Sequence, residues 1–126
     1  MKDMNKYVLI IDDEPRNIFA LVAVLKARKY PCLTAASASE GLEILRSRKD
    51  IGIVLMDMMM PEMDGYEAVA HIRKEQTIAN TPVIAVTAQA MVGDREKCID
   101  AGVDAYIAKP IDVDVLVSLL KQYYKN

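Results

Sequence analysis

The chain has 126 residues, of which 52% are hydrophobic and 27% charged, so it has enough apolar surface for one compact domain and too few residues for two. It carries 16 lysines and arginines against 18 aspartates and glutamates, and no basic run is interleaved with aromatic residues, which disfavours direct nucleic-acid binding. No apolar stretch reaches the roughly 18 residues that a membrane-spanning helix needs. Because the amino terminus also lacks the pattern of a signal peptide, we expect a soluble, cytoplasmic protein with no membrane partner.

Short apolar runs alternate with stretches of helical periodicity, a pattern typical of a parallel sheet covered by helices. Residues 7–11 are the first predicted strand, and Pro15 then stands at an early position of a helix. The inward face of that helix is predicted from apolar residues at helical spacing: Ile18, Leu21, Val22 and Leu25. A weaker strand at residues 31–35 precedes Ser37-x-x-Glu40, a capping box that predicts the start of a second helix.

The second half of the chain continues the alternation. Residues 51–56 are the most apolar run, and because the run is continuous we expect a central strand buried on both faces. Asp64 predicts the start of a third helix, and residues 82–86 and 104–108 are further strands. A poorly amphipathic fourth helix begins at residues 93–94, and Asp112 caps the last one. The predicted fold class is α/β, a doubly wound five-stranded parallel sheet in one domain spanning 1–126.

Unusual polar residues stand at the predicted carboxyl ends of the strands. Asp12 and Asp13 follow the first strand, Asp57 the third, Thr87 the fourth and Lys109 the fifth. In open parallel sheets these ends converge on one crevice, where ligands bind. Three carboxylates at such close range repel one another, and a divalent cation relieves that repulsion. Hard oxygen ligands favour Mg²⁺, which commonly joins one or two carboxylates to a phosphate.

This set of residues predicts a phosphoryl-transfer site. Asp57 is the expected nucleophile, since a carboxylate that attacks phosphorus forms an acyl phosphate. Mg²⁺ and Lys109 are expected to neutralise charge on the phosphoryl oxygens, and Thr87 to donate a hydrogen bond. Capping of the first helix accounts for one of the two adjacent carboxylates, Asp12 and Asp13, but not for both.

Four segments in this order resemble the sequence blocks of response-regulator receiver domains, and the resemblance covers nearly the whole chain. The segments are Asp12-Asp13, Asp57-Met58-Met59-Met60-Pro61, Val86-Thr87-Ala88 and Tyr106-Ile107-Ala108-Lys109-Pro110. The resemblance implies a flavodoxin-like fold with strand order 2-1-3-4-5. It implies a signalling module of a two-component phosphorelay and not an enzyme in the ordinary sense. The implied partner of this module is a sensor histidine kinase or a histidine phosphotransfer protein.

The resemblance also implies roles for individual residues. Asp13 and Asp57 are expected to bind Mg²⁺ directly, together with the backbone carbonyl of Met59, while Asp12 acts mainly through water. A cis peptide bond is expected before Pro110.

The resemblance further implies a switch that starts at the phosphorylated aspartate. Thr87 is expected to move to bond the phosphoryl group and Tyr106 to turn into the vacated space, so that the signal leaves through the face of helix four, strand five and helix five. The domain is expected to be a monomer or a weak phosphorylation-dependent dimer.

Slow self-hydrolysis of the acyl phosphate is also expected, and Met59 and Gln89 are expected to set its rate. The phosphohistidine-bearing partner is expected to dock near Asn17, Ala20 and Pro110.

Two other functions fit the sequence less well. A phosphohydrolase would need a general acid just beyond the nucleophile, where Met58 and Met59 stand, and a flavodoxin-like cofactor binder would need a phosphate loop where the chain has acidic residues. Because the chain stops directly after the fifth predicted helix, no effector domain is expected, and either a stand-alone regulator or a receiver excised from a hybrid kinase fits the sequence.

Several residue types that often carry chemistry are given a structural interpretation instead. Cys32 and Cys98 have no metal-ligand spacing and are expected to be small apolar fillers, with Cys98 the more exposed because its neighbours are charged. The methionines of residues 56–60 are expected in the core and its covering loop, and His71 is expected to be a surface or packing residue of the third helix, remote from the crevice. Gly65 is interpreted as a permissive backbone position.

Overall fold

The computed structural model describes residues 6–88 and 93–124, which form a five-stranded parallel sheet covered by five helices. The elements are β1 (Tyr7–Ile11), α1 (Pro15–Ala27), β2 (Cys32–Ala35), α2 (Ala38–Ser47), β3 (Ile51–Asp57), α3 (Gly65–Lys74), β4 (Val83–Thr87), α4 (Asp94–Ala101), β5 (Ala105–Ala108) and α5 (Val113–Tyr123). The strand order is β2-β1-β3-β4-β5, so the predicted fold class and strand order are confirmed. Within the described residues no helix is both long and apolar enough to cross a membrane.

Two hydrophobic cores lie on opposite faces of the sheet, because alternate side chains of each strand point to opposite sides. In β1, Leu9 and Ile11 pack in the core under α2, α3 and α4. Val8 and Ile10 pack in the core under α1 and α5. Since β3 lies in the middle of the sheet and helices cover both faces, every β3 residue after Ile51 is buried, as its continuous apolar run predicts.

The helix starts follow the local signals in the sequence. Ser37 and Asp64 each accept a hydrogen bond from the backbone N–H three residues later, at 3.1 and 2.9 Å. Asp112 accepts from two N–H groups of the first turn of α5, at 2.9 and 3.3 Å. Pro15 is the first residue of α1, where its missing N–H costs no hydrogen bond. These N-caps are therefore confirmed.

The predicted order of exposure of the two cysteines was wrong, although Cys98 is an apolar filler as expected. Cys98 is fully buried in the core under α4, whereas Cys32 is only half-buried on the edge strand β2. The charged neighbours of Cys98 in sequence lie on other faces of the helix, because successive helical residues are about 100° apart. Its sulfur lies 3.6 Å from the hydroxyl of Tyr66, so it fills a gap between α3 and α4.

Arg73, in the last turn of α3, hydrogen-bonds to the segments that precede β4 and β5 at the amino-terminal end of the sheet. Its guanidinium donates to the backbone carbonyls of Gly102, Ala79 and Thr81, at 2.9, 2.8 and 2.6 Å. It also pairs with Asp104 at 3.0 Å, and the same carboxylate oxygen accepts the first N–H of β4 at 2.8 Å. One side chain thus joins α3, the loop before β4 and the turn before β5.

Replacing Arg73 should destabilise the whole domain. Arg73→Met keeps the aliphatic stem and removes every donor, leaving carbonyl groups without their charged partner, so we expect the free energy of unfolding to fall by about 2–3 kcal/mol. Urea denaturation followed by circular dichroism measures this. Lys74→Met, a neighbouring exposed position, is the control and should change stability by less than about 0.5 kcal/mol. Equal effects of the two substitutions would contradict the assignment.

Candidate functional site

Among the residues that the structure describes, three polar side chains are almost fully buried at the carboxyl end of the sheet. Asp12, Asp57 and Thr87 expose only 2%, 4% and 3% of their surface, and they follow β1, end β3 and end β4 respectively. Burying polar groups is costly unless they find partners, so the interactions around them define the site.

The carboxylates form one cluster. Oxygen atoms of Asp12, Asp13 and Asp57 all lie within 4.8 Å of one another. Asp13 is exposed while the other two are buried, so the cluster is open to solvent on one side. An arrangement of hard oxygen donors with an open side fits Mg²⁺, which retains several of its waters when bound to protein carboxylates.

Lys109 faces this cluster from the end of β5. Its Nζ lies 3.7 Å from Oδ2 of Asp12 and 3.7 Å from Oδ2 of Asp57. Its backbone N–H donates to the carbonyl of Thr87 at 2.7 Å, which holds the ends of β4 and β5 together. The peptide bond between Lys109 and Pro110 is cis, as the resemblance implied.

Backbone donors satisfy the other carboxylate oxygens. The N–H of Met59 donates to Oδ1 of Asp57 at 3.0 Å, and the N–H of Glu14 donates to Oδ1 of Asp12 at 2.8 Å. Burial nevertheless raises the pKa of Asp57 from 3.8 to about 6, and the nearby charge of Asp12 adds to the rise. The Met59 N–H and the Lys109 ammonium act in the opposite direction on this pKa but do not cancel it.

The glycine at the start of α3 is required by close packing. A Cβ atom on Gly65 would lie 2.6 Å from the Cα of Met58 and 2.9 Å from the carbonyl oxygen of Asp57. Its φ is not in the left-handed region, so the interpretation of this glycine as a permissive backbone position was wrong. Gly65 lets α3 begin directly against the end of β3, and its N–H donates to the Met58 carbonyl at 3.3 Å.

The remaining predicted site residues surround the cluster. Met59 exposes 54% of its surface, whereas Met56 and Met58 are fully buried in the core. Tyr106 is half-buried and packs against the core on the α2–α4 face. Gln89, named above for its effect on hydrolysis, lies outside the described residues. His71 is exposed on α3, as expected.

A family model described as the response regulator receiver domain matches residues 8–121. The chain belongs to this family. It is 34% identical over 120 residues to the polar-differentiation response regulator DivK of Brucella abortus (strain 2308), covering 95% of this chain and 97% of that protein. It is 38% identical over 116 residues to the sensor histidine kinase RcsC of Escherichia coli (strain K12), covering 92% of this chain but only 12% of that protein.

A solved receiver domain supports both the fold and the metal chemistry. The receiver domain of the sensor histidine kinase PA1611 from Pseudomonas aeruginosa is 33% identical, with a TM-score of 0.81 over 94% of this chain and 97% of that one, and it holds a magnesium ion in its active-site cleft. The chain is thus a phosphoacceptor domain of two-component signalling, and its aspartate cluster is the kind of acidic site at which receivers bind Mg²⁺.

The raised pKa of Asp57 predicts how stability depends on pH without metal. The carboxyl of Asp57 binds a proton more tightly in the folded protein than in the unfolded chain. Its protonation therefore stabilises the fold at low pH, and this stabilisation is lost as the pH rises through about 6. Asp57→Asn removes the titration, so in metal-free buffer at about pH 8 it should raise the free energy of unfolding by roughly 2 kcal/mol.

Urea denaturation of both proteins in the presence of a chelator tests this. Near pH 4 the gain should largely disappear, because the wild-type carboxyl is then protonated in the folded state. A gain of the same size at both pH values would show that charge at Asp57 is not its origin.

Proposed function

We propose that Asp57 is the residue that accepts the phosphoryl group, from a phosphohistidine of a sensor histidine kinase or a histidine phosphotransfer protein. The observation that carries this proposal is the position of its buried carboxylate, 3.7 Å from the Lys109 ammonium and within the cluster formed with Asp12 and Asp13. A carboxylate oxygen of Asp57 attacks phosphorus, the bond from phosphorus to the histidine nitrogen breaks, and an acyl phosphate forms.

The surrounding residues stabilise the charge of this transfer. Mg²⁺, held by Asp13, Asp57 and the backbone carbonyl of Met59 with Asp12 acting through water, would neutralise charge on the phosphoryl oxygens. Lys109, whose ammonium lies 3.7 Å from carboxylate oxygens of Asp12 and Asp57, supplies a second positive charge, and the Thr87 hydroxyl donates to a phosphoryl oxygen. The Met59 N–H keeps the Asp57 carboxylate in one orientation, which supports in-line attack.

We also propose that phosphorylation is read through Thr87 and Tyr106. Thr87 ends β4 and Tyr106 lies in β5, and the two strands pair directly. A shift of Thr87 towards the phosphoryl group leaves space into which the half-buried Tyr106 ring turns, which changes the face formed by α4, β5 and α5. Phosphorylation thereby favours one of two arrangements of this face.

Slow self-hydrolysis would end the signal. The thioether of Met59 and the buried side chain of Met58 cannot serve as general acids, so water attacks the acyl phosphate without the assistance expected in a phosphohydrolase. This supports a signalling module over an enzyme that turns over a phosphate ester.

A groove beside the site is our proposed docking surface for the phosphodonor. A cavity of about 260 Å³ lies between α1 and the segment after β5. Asn17 and Ala20 line it on α1, and Lys109, Pro110 and Ile111 line it on the other side. The groove shares Lys109 with the acid cluster, so a helix that lies in it would bring its phosphohistidine to Asp57.

Acetyl phosphate tests the phosphoacceptor. With Mg²⁺ present, intact-mass spectrometry should show the addition of one phosphoryl group to the wild-type chain and to Asp100→Asn, an exposed acid on α4. Asp57→Asn should gain nothing, and removal of Mg²⁺ should slow the wild-type reaction by at least about a hundredfold, or about 3 kcal/mol. Phosphorylation of the Asp57→Asn protein at another residue would overturn the proposal.

A charge placed in the groove tests docking separately from chemistry. Ala20→Arg should slow phosphoryl transfer from a phosphorylated histidine phosphotransfer protein that serves the wild-type chain by about tenfold or more, because it blocks a packed contact. Its reaction with acetyl phosphate should be unchanged. Ala23→Arg, on the same helix but lining a different cavity, is the matched control and should leave both rates as they are. Equal slowing by the two variants would contradict docking in this groove.

A further inference from the structure

A second concave site lies at the opposite end of the sheet. It is a cavity of about 520 Å³ beside the amino ends of β1, β3 and β4, within the range of small-molecule sites. Because β3 has seven residues and a strand rises about 3.3 Å per residue, this cavity lies roughly 20 Å from Asp57. It is therefore spatially separate from the phosphorylation site.

The floor of this cavity, here called the basal cavity, is apolar. Leu45 and Ile78 are buried, and Ile51 and Pro82 complete the surface. Thr77 and Thr81, with Asn80, add polar groups along one wall. An apolar floor beside polar side chains suits a flat ring with edge donors and acceptors.

The polar wall is held in place by the rest of the fold. Arg73 donates to the backbone carbonyls of Ala79 and Thr81, and the Thr81 hydroxyl donates to the carbonyl of Ile78 at 2.8 Å. The backbone N–H of Thr81 donates to the same Ile78 carbonyl at 3.1 Å. A wall fixed before binding lowers the entropy cost of binding.

The rim of the basal cavity is cationic. It is formed by Lys6, Arg46, Arg48 and Lys49, and no carboxylate is among the described residues that line the cavity. These cations come from the start of β1 and the end of α2, so the helix dipole at the end of α2 does not account for all of them.

Two of the four cations are fixed by acids that lie outside the lining. Arg46 pairs with Glu75 at 2.7 Å, and Arg48 pairs with Asp50 at 2.8 Å. Lys6 and Lys49 form no ion pair with any of the described residues, 6–88 and 93–124. The rim therefore has an excess of two positive charges.

We propose that the basal cavity binds a nucleotide that carries two or more phosphate groups. The base lies on the apolar floor against the threonine wall, and the phosphates are bound by Lys6 and Lys49 with the outer edges of the two guanidiniums. A single inorganic anion would leave the floor unused, and an uncharged apolar ligand would leave the rim unpaired. Both parts of the cavity are matched when one molecule carries a base and a polyphosphate.

Isothermal titration with ATP, adenosine and inorganic tripolyphosphate tests the proposal. The measurements use the full chain with a chelator, so that no metal brings phosphate to the aspartate cluster. ATP should bind at least about tenfold more tightly than either fragment, because each fragment occupies only half of the cavity. If tripolyphosphate bound as tightly as ATP, the site would bind polyanions only and the nucleotide assignment would be wrong.

Paired lysine substitutions locate the site. Lys6→Gln combined with Lys49→Gln should weaken ATP binding by about tenfold. The control is Lys29→Gln combined with Lys121→Gln, which removes the same charge from a different cavity of about 350 Å³ that is also lined by Arg28. Equal weakening by both pairs would show diffuse attraction instead of a site. Weakening by Asp57→Asn would place the nucleotide at the acid cluster and overturn the proposal, whatever the outcome with acetyl phosphate.

Discussion

The mutual repulsion of carboxylates in a buried crevice is the constraint on which this structure depends. Asp12 and Asp57 lie almost fully inside the protein, and Asp13 adds a third carboxylate to the same small volume. Water cannot screen such charges well, so fixed protein groups must do so. Lys109 and two backbone N–H groups supply part of the compensation, and the raised pKa of Asp57 shows that it is incomplete. The remaining imbalance favours a divalent cation, the kind of ion that receivers bind at such an acidic site.

The parallel sheet makes this arrangement possible because it brings residues distant in sequence to one edge. Finer adjustments come from the loops. Gly65 allows α3 to begin against the end of β3, and the Met59 N–H then points at the Asp57 carboxylate. The hydrogen bond between Lys109 and Thr87 keeps two strand ends in register. The chemistry of the crevice therefore depends on backbone contacts as much as on the acidic side chains.

The features that could be predicted from the sequence are those encoded by residues close to one another along the chain. Apolar runs predicted the strands, and the N-caps at Ser37, Asp64 and Asp112 marked the helix starts. The rule that parallel strand ends converge then placed the acid cluster. The contacts of Arg73 and the burial of Cys98 were missed, because their partners lie in other elements and no local pattern carries that information.

The same topology separates charge along the molecule, although the net charge of the chain is only −2. Helices run antiparallel to the strands, so their amino-terminal ends and capping acids lie near the crevice, while Arg46, Arg48 and Lys49 lie at the far end of α2. Cations at a helix carboxyl end are favoured by its dipole, so the basic end costs little to build. Under the two proposals, the two ends would bind phosphate through different electrostatics. The acidic end would use a metal ion to accept a phosphoryl group, whereas the basic rim would attract phosphate directly, so binding at one end would not compete with transfer at the other.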